Sequence, residues 1–404
     1  MSMLTFPAAP PKSKRKHDPM PVAAVKVAVR MLWERIAGVQ PRTLADVPRS
    51  CESITREWMT LVMCRNHPGA QVTSVRIAGG SDGSHQRRRL LLEYNEAGRA
   101  AGLPSSVFTK TLATLVTRML GGFMGHSRYE MLFYQRVRPS LNIETPQCYH
   151  SASDKASLAA IHVLEDLVAA KDASFCDEAT ELTLEQAQDL VELLADVHGP
   201  FQASSRLQGD LAWVVDYPTW FLAGIERVHT DRNCAKAVLR AEHVIPKRLF
   251  ERRSHIWPAT LRALDLYRQG PQTLIHTDTH AANWYITKDG RMGLLDWQLI
   301  TVGHGSRDVS HALLTFLSTD KRRAWERELL RRYLDRMERH TGTRTDFESN
   351  WLAYRRQALH TLTQWTQTLC HPPFQPNSHP DERTYKFLER ITTAIDDLDS
   401  LDTD

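Results

Sequence analysis

The sequence predicts an α+β protein in which a small β-rich region is followed by a larger, mainly helical region. Residues 71–112 contain runs rich in β-branched and apolar residues, separated by glycine-containing segments, as expected of strands and turns. From Thr183 onward, apolar residues recur at the spacing of amphipathic helices. At 404 residues the chain is long enough for two or three folding units with buried cores.

The composition is that of an ordinary soluble enzyme, with 42% hydrophobic and 24% charged residues and a formal net charge of +4. It contains no long apolar run of the kind that spans a membrane. Six scattered cysteines without a C-x-x-C pair are typical of free thiols in a reducing compartment, so we expect a cytoplasmic protein. No basic patch interleaved with aromatic residues recurs, so nucleic acid is not an expected partner.

Residues 1–20 are predicted to be a disordered basic tail, in which the run KSKRK supplies Lys12, Lys14, Arg15 and Lys16. Such a run is also compatible with a nuclear signal or a tether to an anionic surface, although a solvated tail is favoured. The following segment, MPVAAVKVAVRMLWERIAGV, resembles a signal peptide only superficially. Lys26 and Arg30 interrupt it at helical spacing, which favours an amphipathic helix.

Residues 21–167 are predicted to form the smaller, β-rich unit. Its elements are a helix at 54–64, two strands within 71–95, a third strand at 105–112, a helix at 127–137 and a buried strand at 159–167. Gly79, Gly80 and Gly83 lie in the loop between the first two strands. Residues 168–404 are predicted to form the helical unit, and the TLEQ run gives one of its helices a capping box from Thr183 to Gln186.

A β-hairpin is predicted in WYITKDGRMGLL, because Asp289-Gly290 separates two apolar runs. If these two residues form the whole turn, counting outward brings Asn283 opposite Asp296. Directly opposed residues have Cβ atoms about 4.5–5.5 Å apart. A carboxylate and an amide oxygen at that separation can share a hard cation such as Mg²⁺. The sequence therefore predicts a metal site at the open end of this hairpin.

Asp278 lies five residues before Asn283. The same Asp-x-x-x-x-Asn spacing occurs in the protein-kinase catalytic loop, where the Asp accepts the proton of the attacking hydroxyl and the Asn holds metal. This spacing predicts that Asp278 is a catalytic base beside a metal-bound triphosphate.

The runs HTDTHAAN and LLDW together resemble motifs of the aminoglycoside phosphotransferase and choline kinase-like superfamily, especially its ecdysteroid kinase-like branch and the bacterial relatives of that branch. The resemblance implies a two-lobed, protein kinase-like fold with a small β-rich N-lobe and a larger helical C-lobe. It implies transfer of the γ-phosphoryl group of ATP to a hydroxyl of a small molecule. Asp278 would be the base, and Asn283 and Asp296 would bind Mg²⁺.

Further roles follow from the same resemblance. Lys110 in VFTK would pair with the phosphates of the nucleotide, and Glu130 in RYEMLFY would orient that lysine. The backbone near Glu165–Leu167 would form the hinge that binds adenine, with the glycine loop over the phosphates. His280, between the base and the metal ligands, would contact phosphate or substrate. His276 is expected to be a packed, hydrogen-bonded core residue.

The chain departs from the family pattern at three places. Thr277 replaces the usual glycine between His276 and Asp278, and the loop GGSDGS is not G-x-G-x-x-G. DWQ replaces the Asp-Phe-Gly of protein kinases, which favours a small-molecule kinase. Asp308 is expected to cap the following helix, with bracing of the catalytic loop as the alternative.

Two other functions remain open at this point. If HTDTH were a strand, His276, Asp278 and His280 would share a face and, with Asp296, form a Zn²⁺ or Mn²⁺ site of a metallohydrolase. A nucleotide-binding pseudokinase is the second alternative. The acceptor is not identified: an apolar alcohol, an antibiotic or another hydroxylated metabolite would each fit. The aromatic residues of segment 209–228 are expected in the core, with the acceptor pocket as the alternative.

Overall fold

The computed structural model describes residues 20–403 except 39, 84, 123–124, 266, 268–269 and 372–378. The predicted basic tail over residues 1–20 lies outside the described residues, apart from Met20. Within the described ranges no helix combines the length and apolar character needed to cross a membrane. The cysteines are free thiols, as predicted.

The N-terminal part is built on an antiparallel sheet of five strands in the order β1-β2-β3-β5-β4. The strands are β1 Val72–Asp82, β2 Gln86–Tyr94, β3 Ser106–Thr111, β4 Cys148–Ser153 and β5 Ala160–Glu165. The helices around it are α1 Met20–Ile36, α2 Arg56–Met63, α3 Glu96–Ala100, α4 Leu115–Thr117 and α5 His126–Leu132. Trp58 and Met59 of α2 are buried against one face of this sheet, where they pack with Leu90 and Val107.

Two features of this part differ from the sequence prediction. Strand β4 was not predicted, because its sequence CYHSAS is polar and it lies at the edge of the sheet. The predicted helix at 127–137 is α5 followed by a wider π-helical turn at Phe133–Val137. The predicted amphipathic helix and the predicted helix at 54–64 are present as α1 and α2, and the four predicted strands are present.

The C-terminal part is mainly helical. Its helices are α6 Leu167–Lys171, α7 Leu184–His198, α8 Tyr217–Val228, α9 Thr230–Arg240, α10 Lys247–Glu251, α11 Ile256–Ala263, α12 Ser306–Phe316, α13 Thr319–Thr341, α14 Phe347–Leu369 and α15 Asp381–Asp397. Helix α14 packs against α12 and α15 in the centre of this part. The predicted capping box is present at the start of α7, where Thr183 accepts from the Gln186 N–H and Gln186 accepts from the Thr183 N–H.

The predicted α+β architecture is thus confirmed. Strand β5 ends at Glu165 and α6 begins at Leu167, which is where the character of the chain changes from sheet to helix. The division of the chain into two units between residues 167 and 168 stays a prediction.

Two small sheets position the polar segment 276–283. Strand β7 (Thr273–Ile275) pairs with β10 (Thr301–Gly303), and β6 (Ser174–Phe175), β8 (Trp284–Ile286) and β9 (Met292–Leu294) form the other sheet. The segment therefore leaves β7 at one side and enters β8 at the other. Both of its ends are fixed by strand pairing.

The predicted hairpin exists, but its predicted register is wrong by one residue. Tyr285 pairs with Gly293 rather than Leu294, and the turn contains three residues, closed by a 3.0 Å bond from the Thr287 N–H to the Arg291 carbonyl. Gly290 takes the left-handed conformation (φ +82°) that such a three-residue turn requires. As a consequence, Asn283 lies opposite Leu295, not Asp296: its carbonyl accepts the Leu295 N–H at 3.0 Å.

The aromatic residues of segment 209–228 divide between core and partly exposed positions. Tyr217 and Phe221 are buried and pack with Tyr267, as expected of core residues. Trp213 and Trp220 are partly exposed.

Candidate active site

The segment after β7 is held in place by one buried carboxylate, that of Asp308. Asp308, in the first turn of α12, accepts the His276 N–H at 2.6 Å and the Thr277 N–H at 2.8 Å. The Nε2 of His198 lies 3.2 Å from the same side chain. Asp308 therefore braces the loop that carries Asp278. The expectation that it caps α12 is wrong, since the N-cap residue is Gly305 and the Asp308 carboxylate points to the loop.

Thr277 has a left-handed backbone (φ +73°) although it is β-branched. This conformation is strained for such a residue, whereas glycine adopts it without strain. Its hydroxyl is paired with the Thr301 hydroxyl at 2.7 Å, and its N–H is bonded to Asp308. The sharp bend directs the next residue, Asp278, out of the packed interior.

Both carboxylate oxygens of Asp278 are held by side-chain amides. Asn283 donates from Nδ2 to the Asp278 carbonyl at 2.7 Å and to Oδ2 at 3.2 Å. Gln364, on α14, donates from Nε2 to Oδ1 at 2.5 Å. The Asn283 contact follows from the predicted five-residue spacing, but the Gln364 contact links positions 86 residues apart.

Arg307 fixes which end of the Gln364 amide faces Asp278. The guanidinium is fully buried and donates from Nη2 to Gln364 Oε1 at 2.5 Å. Arginine has donors only, so the amide oxygen must face Arg307 and the amide nitrogen must face Asp278. The side-chain amide of Asn283 is oriented in the same way. Because its nitrogen donates to Asp278, its oxygen can bind another partner.

His276 is a packed core residue, as expected. Its Nδ1 accepts the Asp278 N–H at 3.2 Å and its Nε2 donates to the Leu295 carbonyl at 3.0 Å, so both ring nitrogens are engaged. HTDTH is also not a strand, because β7 ends at Ile275. The geometry assumed for a metallohydrolase is therefore wrong. Across the described part of the chain, no group of three or more His, Cys, Asp or Glu residues could hold a metal ion.

His280 is buried beside Asp278. Its Nδ1 accepts the Ala282 N–H at 3.2 Å, which leaves the proton on Nε2, 3.6 Å from Asp278 Oδ1. Burial lowers the pKa of His280 despite the opposing charge of Asp278, so the ring is neutral at pH 7. A neutral imidazole that directs an N–H toward the carboxylate can donate to an anionic or hydroxyl group bound there.

Lys110, Glu130 and Asp296 meet between the two parts of the molecule. The Lys110 ammonium donates to Glu130 Oε2 at 2.7 Å and to Asp296 Oδ1 at 2.8 Å. Lys110 and Glu130 are almost completely buried. The structure thus brings together the lysine of β3, the glutamate of α5 and the carboxylate that follows the hairpin, three positions that the sequence analysis connected only by resemblance.

The charges of this cluster determine its protonation states. Burial by itself lowers the pKa of Lys110, but Asp296 and Glu130 outweigh burial and raise it above its usual value. Burial raises the pKa of the Asp296 carboxyl, but the positive charges of Lys110 and Arg87 outweigh it and hold that pKa well below its usual range. Lys110 and Asp296 are therefore charged at neutral pH.

The donor groups of Asn283 and Asp296 suit Mg²⁺ by their chemistry. Asp296 supplies a carboxylate and Asn283 an amide oxygen that is turned away from its hydrogen bonds to Asp278. Hard oxygen ligands of this kind, completed by water and phosphate, are what Mg²⁺ prefers. The corrected hairpin register means that the two side chains do not face each other as a strand pair.

The prediction that all three glycines lie in the loop is wrong for Gly79 and Gly80, which belong to the paired end of β1, and right for Gly83, which lies in the turn between β1 and β2. Gly79 and Gly80 pair with Arg89 and Arg88, and a Cβ at Gly80 would lie 2.0 Å from the Arg87 carbonyl, so no side chain fits there. Gly83 is at the tip, where its N–H bonds to the His85 carbonyl at 3.1 Å.

Arg87 is a candidate residue that the sequence analysis missed. It lies directly opposite Lys110 in the pairing of β2 with β3, so the two side chains share one face of the sheet. Its Nη1 also reaches to 3.6 Å from where a Cβ of Gly83 would lie. It therefore places a second positive charge between the glycine turn and Lys110. The alternation of β2 was a signal that could have found it, whereas nothing in the sequence identified Gln364.

The predicted hinge is a strand-to-helix transition. The N–H of Glu165 is bonded to the Gln147 carbonyl at 2.8 Å, and Leu167 begins α6 as a buried residue. Between them, the carboxylate of Asp166 accepts the Ser106 hydroxyl at 2.7 Å. The connection between sheet and helices is thus tied to β3.

Comparisons with known proteins agree with this architecture. Residues 129–347, just over half of the 404, match the sequence profile described as the phosphotransferase enzyme family (APH). A comparison with curated protein sequences gives no match. With the family comes a kinase-like fold, an N-terminal antiparallel sheet followed by a mostly helical region.

Several solved structures are similar at low sequence identity. Choline kinase LicA from Streptococcus pneumoniae is 15% identical, with 81% of this chain and 94% of that chain covered and a TM-score of 0.40. A Plasmodium vivax ethanolamine kinase is 10% identical, with 94% of both chains covered and a TM-score of 0.49. Spectinomycin phosphotransferase APH(9)-Ia, in complex with ADP and spectinomycin, is 13% identical, with 86% and 99% covered and a TM-score of 0.45.

Proposed function

The chain belongs to the phosphotransferase enzyme family, and from this premise we propose that it transfers the γ-phosphoryl group of ATP to a hydroxyl group of a small molecule. The observation that carries the proposal is the proximity of two clusters, since the charges of Asp278 and Asp296 both act on the buried His280. One cluster is Asp278 held by Asn283 and Gln364, and the other is Lys110 held between Glu130 and Asp296.

Asp278 is the proposed base. One of its carboxylate oxygens accepts the proton of the acceptor hydroxyl as that oxygen forms its bond to the γ-phosphorus. The bond from the γ-phosphorus to the β–γ bridging oxygen breaks, and ADP leaves. Two amide donors fix the carboxylate from both sides, so its orientation is set before substrate binds. His280 is proposed to contact phosphate or substrate.

Lys110, oriented by Glu130, is proposed to neutralise charge on the phosphates, with Gly79 and Gly80 at the end of β1 and Gly83 in the turn above them. Asn283 and Asp296 would hold Mg²⁺. When bound, that ion supplies charge stabilisation to the β- and γ-phosphate oxygens.

Adenine is proposed to bind at the hinge near Glu165–Leu167. The N–H of Glu165 is already bonded to Gln147. Its carbonyl and the N–H of Leu167, at the first position of α6, are therefore the groups we expect to face the base.

The acceptor is proposed to be a hydroxylated small molecule, either an apolar alcohol, an antibiotic or another metabolite. The ecdysteroid kinase-like branch is the finer assignment within this proposal, supported by HTDTHAAN and LLDW. The buried positions of Tyr217 and Phe221 argue against their lining the acceptor pocket.

The test is ATP turnover by the wild type and by Asp278→Asn, with a panel of alcohols and with water as acceptor. Asparagine keeps the shape of the side chain but is not a base, and its single oxygen can accept from only one of the two amides that hold Asp278. We expect turnover to fall about 10²–10⁴-fold, with nucleotide binding kept. Equal turnover in the variant would remove Asp278 from the base role. Nucleotide binding without turnover under any condition would instead favour a pseudokinase.

A further inference from the structure

The first helix, α1, has an apolar face that the described protein does not cover. Six large apolar side chains on it are between 43% and 77% exposed: Val22, Val25, Val29, Leu32, Trp33 and Ile36. At 3.6 residues per turn they fall within an arc of about 100°. A continuous apolar stripe facing outward is unusual, since exposed apolar residues on a folded chain are normally scattered.

The opposite face of α1 packs against the rest of the protein, in part through an ion pair. Val27 and Glu34 are buried there. Glu34 pairs with the buried Arg118 at 3.5 Å, and its carbonyl accepts from Arg49 at 3.0 Å. The helix is therefore anchored with its apolar stripe pointing away from the core, the reverse of an ordinary surface helix.

The charges flanking the stripe have one sign. Lys26, Arg30 and Arg35 are exposed on α1, and the only carboxylate in the helix is the buried Glu34. The sequence just before the helix adds the cations of KSKRK. Residues 10–36 thus hold more net positive charge than the whole chain, whose formal net charge is +4.

We propose that α1 docks on an anionic lipid bilayer, lying flat with its apolar stripe among the acyl chains and its cations against the headgroups. An exposed apolar arc with basic flanks is the pattern of helices that lie in the interface. A second basic stretch strengthens such an anchor, because anionic headgroups attract each cation held near the surface. Trp33, with the Arg30 guanidinium 4.5 Å above its ring, would sit at the headgroup boundary.

The experiment is co-sedimentation of the full chain with vesicles of phosphatidylcholine alone or with roughly one third phosphatidylglycerol. The test variant is Leu32→Glu, and the matched control is Leu239→Glu, because Leu239 is equally exposed (56% against 58%) but lies on α9. We expect binding to the anionic vesicles only, weakened at least about tenfold by Leu32→Glu and unchanged by Leu239→Glu. Binding should also weaken on going from about 0.1 M to 1 M salt, where the Debye length falls to about 3 Å.

Other results would overturn the proposal. These are no binding to anionic vesicles, equal binding to neutral ones, or equal loss in both variants. Sedimentation equilibrium without lipid tests whether a second copy of the chain covers the stripe instead. If the wild type does not bind vesicles but forms a dimer that Leu32→Glu converts to a monomer, the stripe is a contact between two copies of the chain. Circular dichroism of both variants checks that each is folded.

Discussion

Replacing Asp308 by asparagine should destabilise the protein far more than the same substitution at an exposed aspartate would. The two oxygens of the Asp308 carboxylate contact three groups. Oδ2 accepts from the His276 N–H and contacts His198, and Oδ1 accepts from the Thr277 N–H. All of these groups are buried.

Asparagine has a single acceptor oxygen at this position. If that oxygen takes the Oδ2 place, its NH₂ group meets the Thr277 N–H donor to donor. If it takes the Oδ1 place, the NH₂ group meets the His276 N–H instead. Either way one buried backbone N–H loses its partner, as does the new NH₂ group, and each such loss costs about 1–3 kcal/mol. The variant should therefore be less stable by about 2–6 kcal/mol.

The assay is urea denaturation of the wild type, Asp308→Asn and the control Asp320→Asn. Asp320 is an exposed carboxylate in the first turn of α13, so its loss should cost no more than about 1 kcal/mol. Turnover of ATP by the folded Asp308→Asn protein should also fall, because the bend at Thr277 that directs Asp278 is no longer held. If the stability of Asp308→Asn lies within about 0.5 kcal/mol of the wild type, Asp308 is not the brace of this loop.

Three further outcomes are expected. Gln364→Ala should lower turnover about tenfold or more while calorimetry finds unchanged nucleotide affinity, and unchanged turnover would mean that Asp278 needs no amide from α14. Lys110→Met should destabilise the nucleotide-free protein by about 3–5 kcal/mol, because it leaves the Glu130 carboxylate buried without its lysine partner. In urea melts, the double variant Lys110→Met with Glu130→Gln should recover part of that lost stability. No recovery would contradict the pairing of Lys110 with Glu130. Burial lowers the pKa of His304 to about 4, so the unfolded chain binds its proton first and stability should fall as pH drops from about 6.5 toward 4. Burial also lowers the pKa values of His126 and His360, so His304→Gln should make that slope shallower by one histidine's share without removing it. An equal slope in melts of the wild type and the variant at these pH values would reject the assignment.

The sequence was informative where function depends on local spacing. The five-residue separation of Asp278 and Asn283 fixes their contact, because the intervening turn is short. The capping box of α7 is equally local. The α+β order followed from the change in periodicity along the chain, and the resemblance added the kinase-like arrangement.

Prediction was weaker where tertiary contacts decide the geometry. The Asp-Gly pair is compatible with turns of two or three residues, and the longer turn moved Asn283 out of register with Asp296. Gln364 reaches Asp278, and Arg307 reaches Gln364, only because α12 and α14 pack together, which no single-sequence pattern encodes. The bracing role of Asp308 likewise depends on how α12 meets the loop after β7.

The most direct test of the proposed nucleotide site is a thermal-shift titration with ATP, with and without Mg²⁺, on the wild type and on Asp296→Asn. Asparagine tolerates the left-handed backbone of this position (φ +68°), and Lys110 keeps its bond to Glu130. Ligand at a hundred times its Kd should stabilise the wild type by about 2.7 kcal/mol. We expect a Mg²⁺-dependent shift in the wild type that is lost or much reduced in Asp296→Asn. An equal shift in both proteins, or no shift with any nucleotide, would contradict the proposed site.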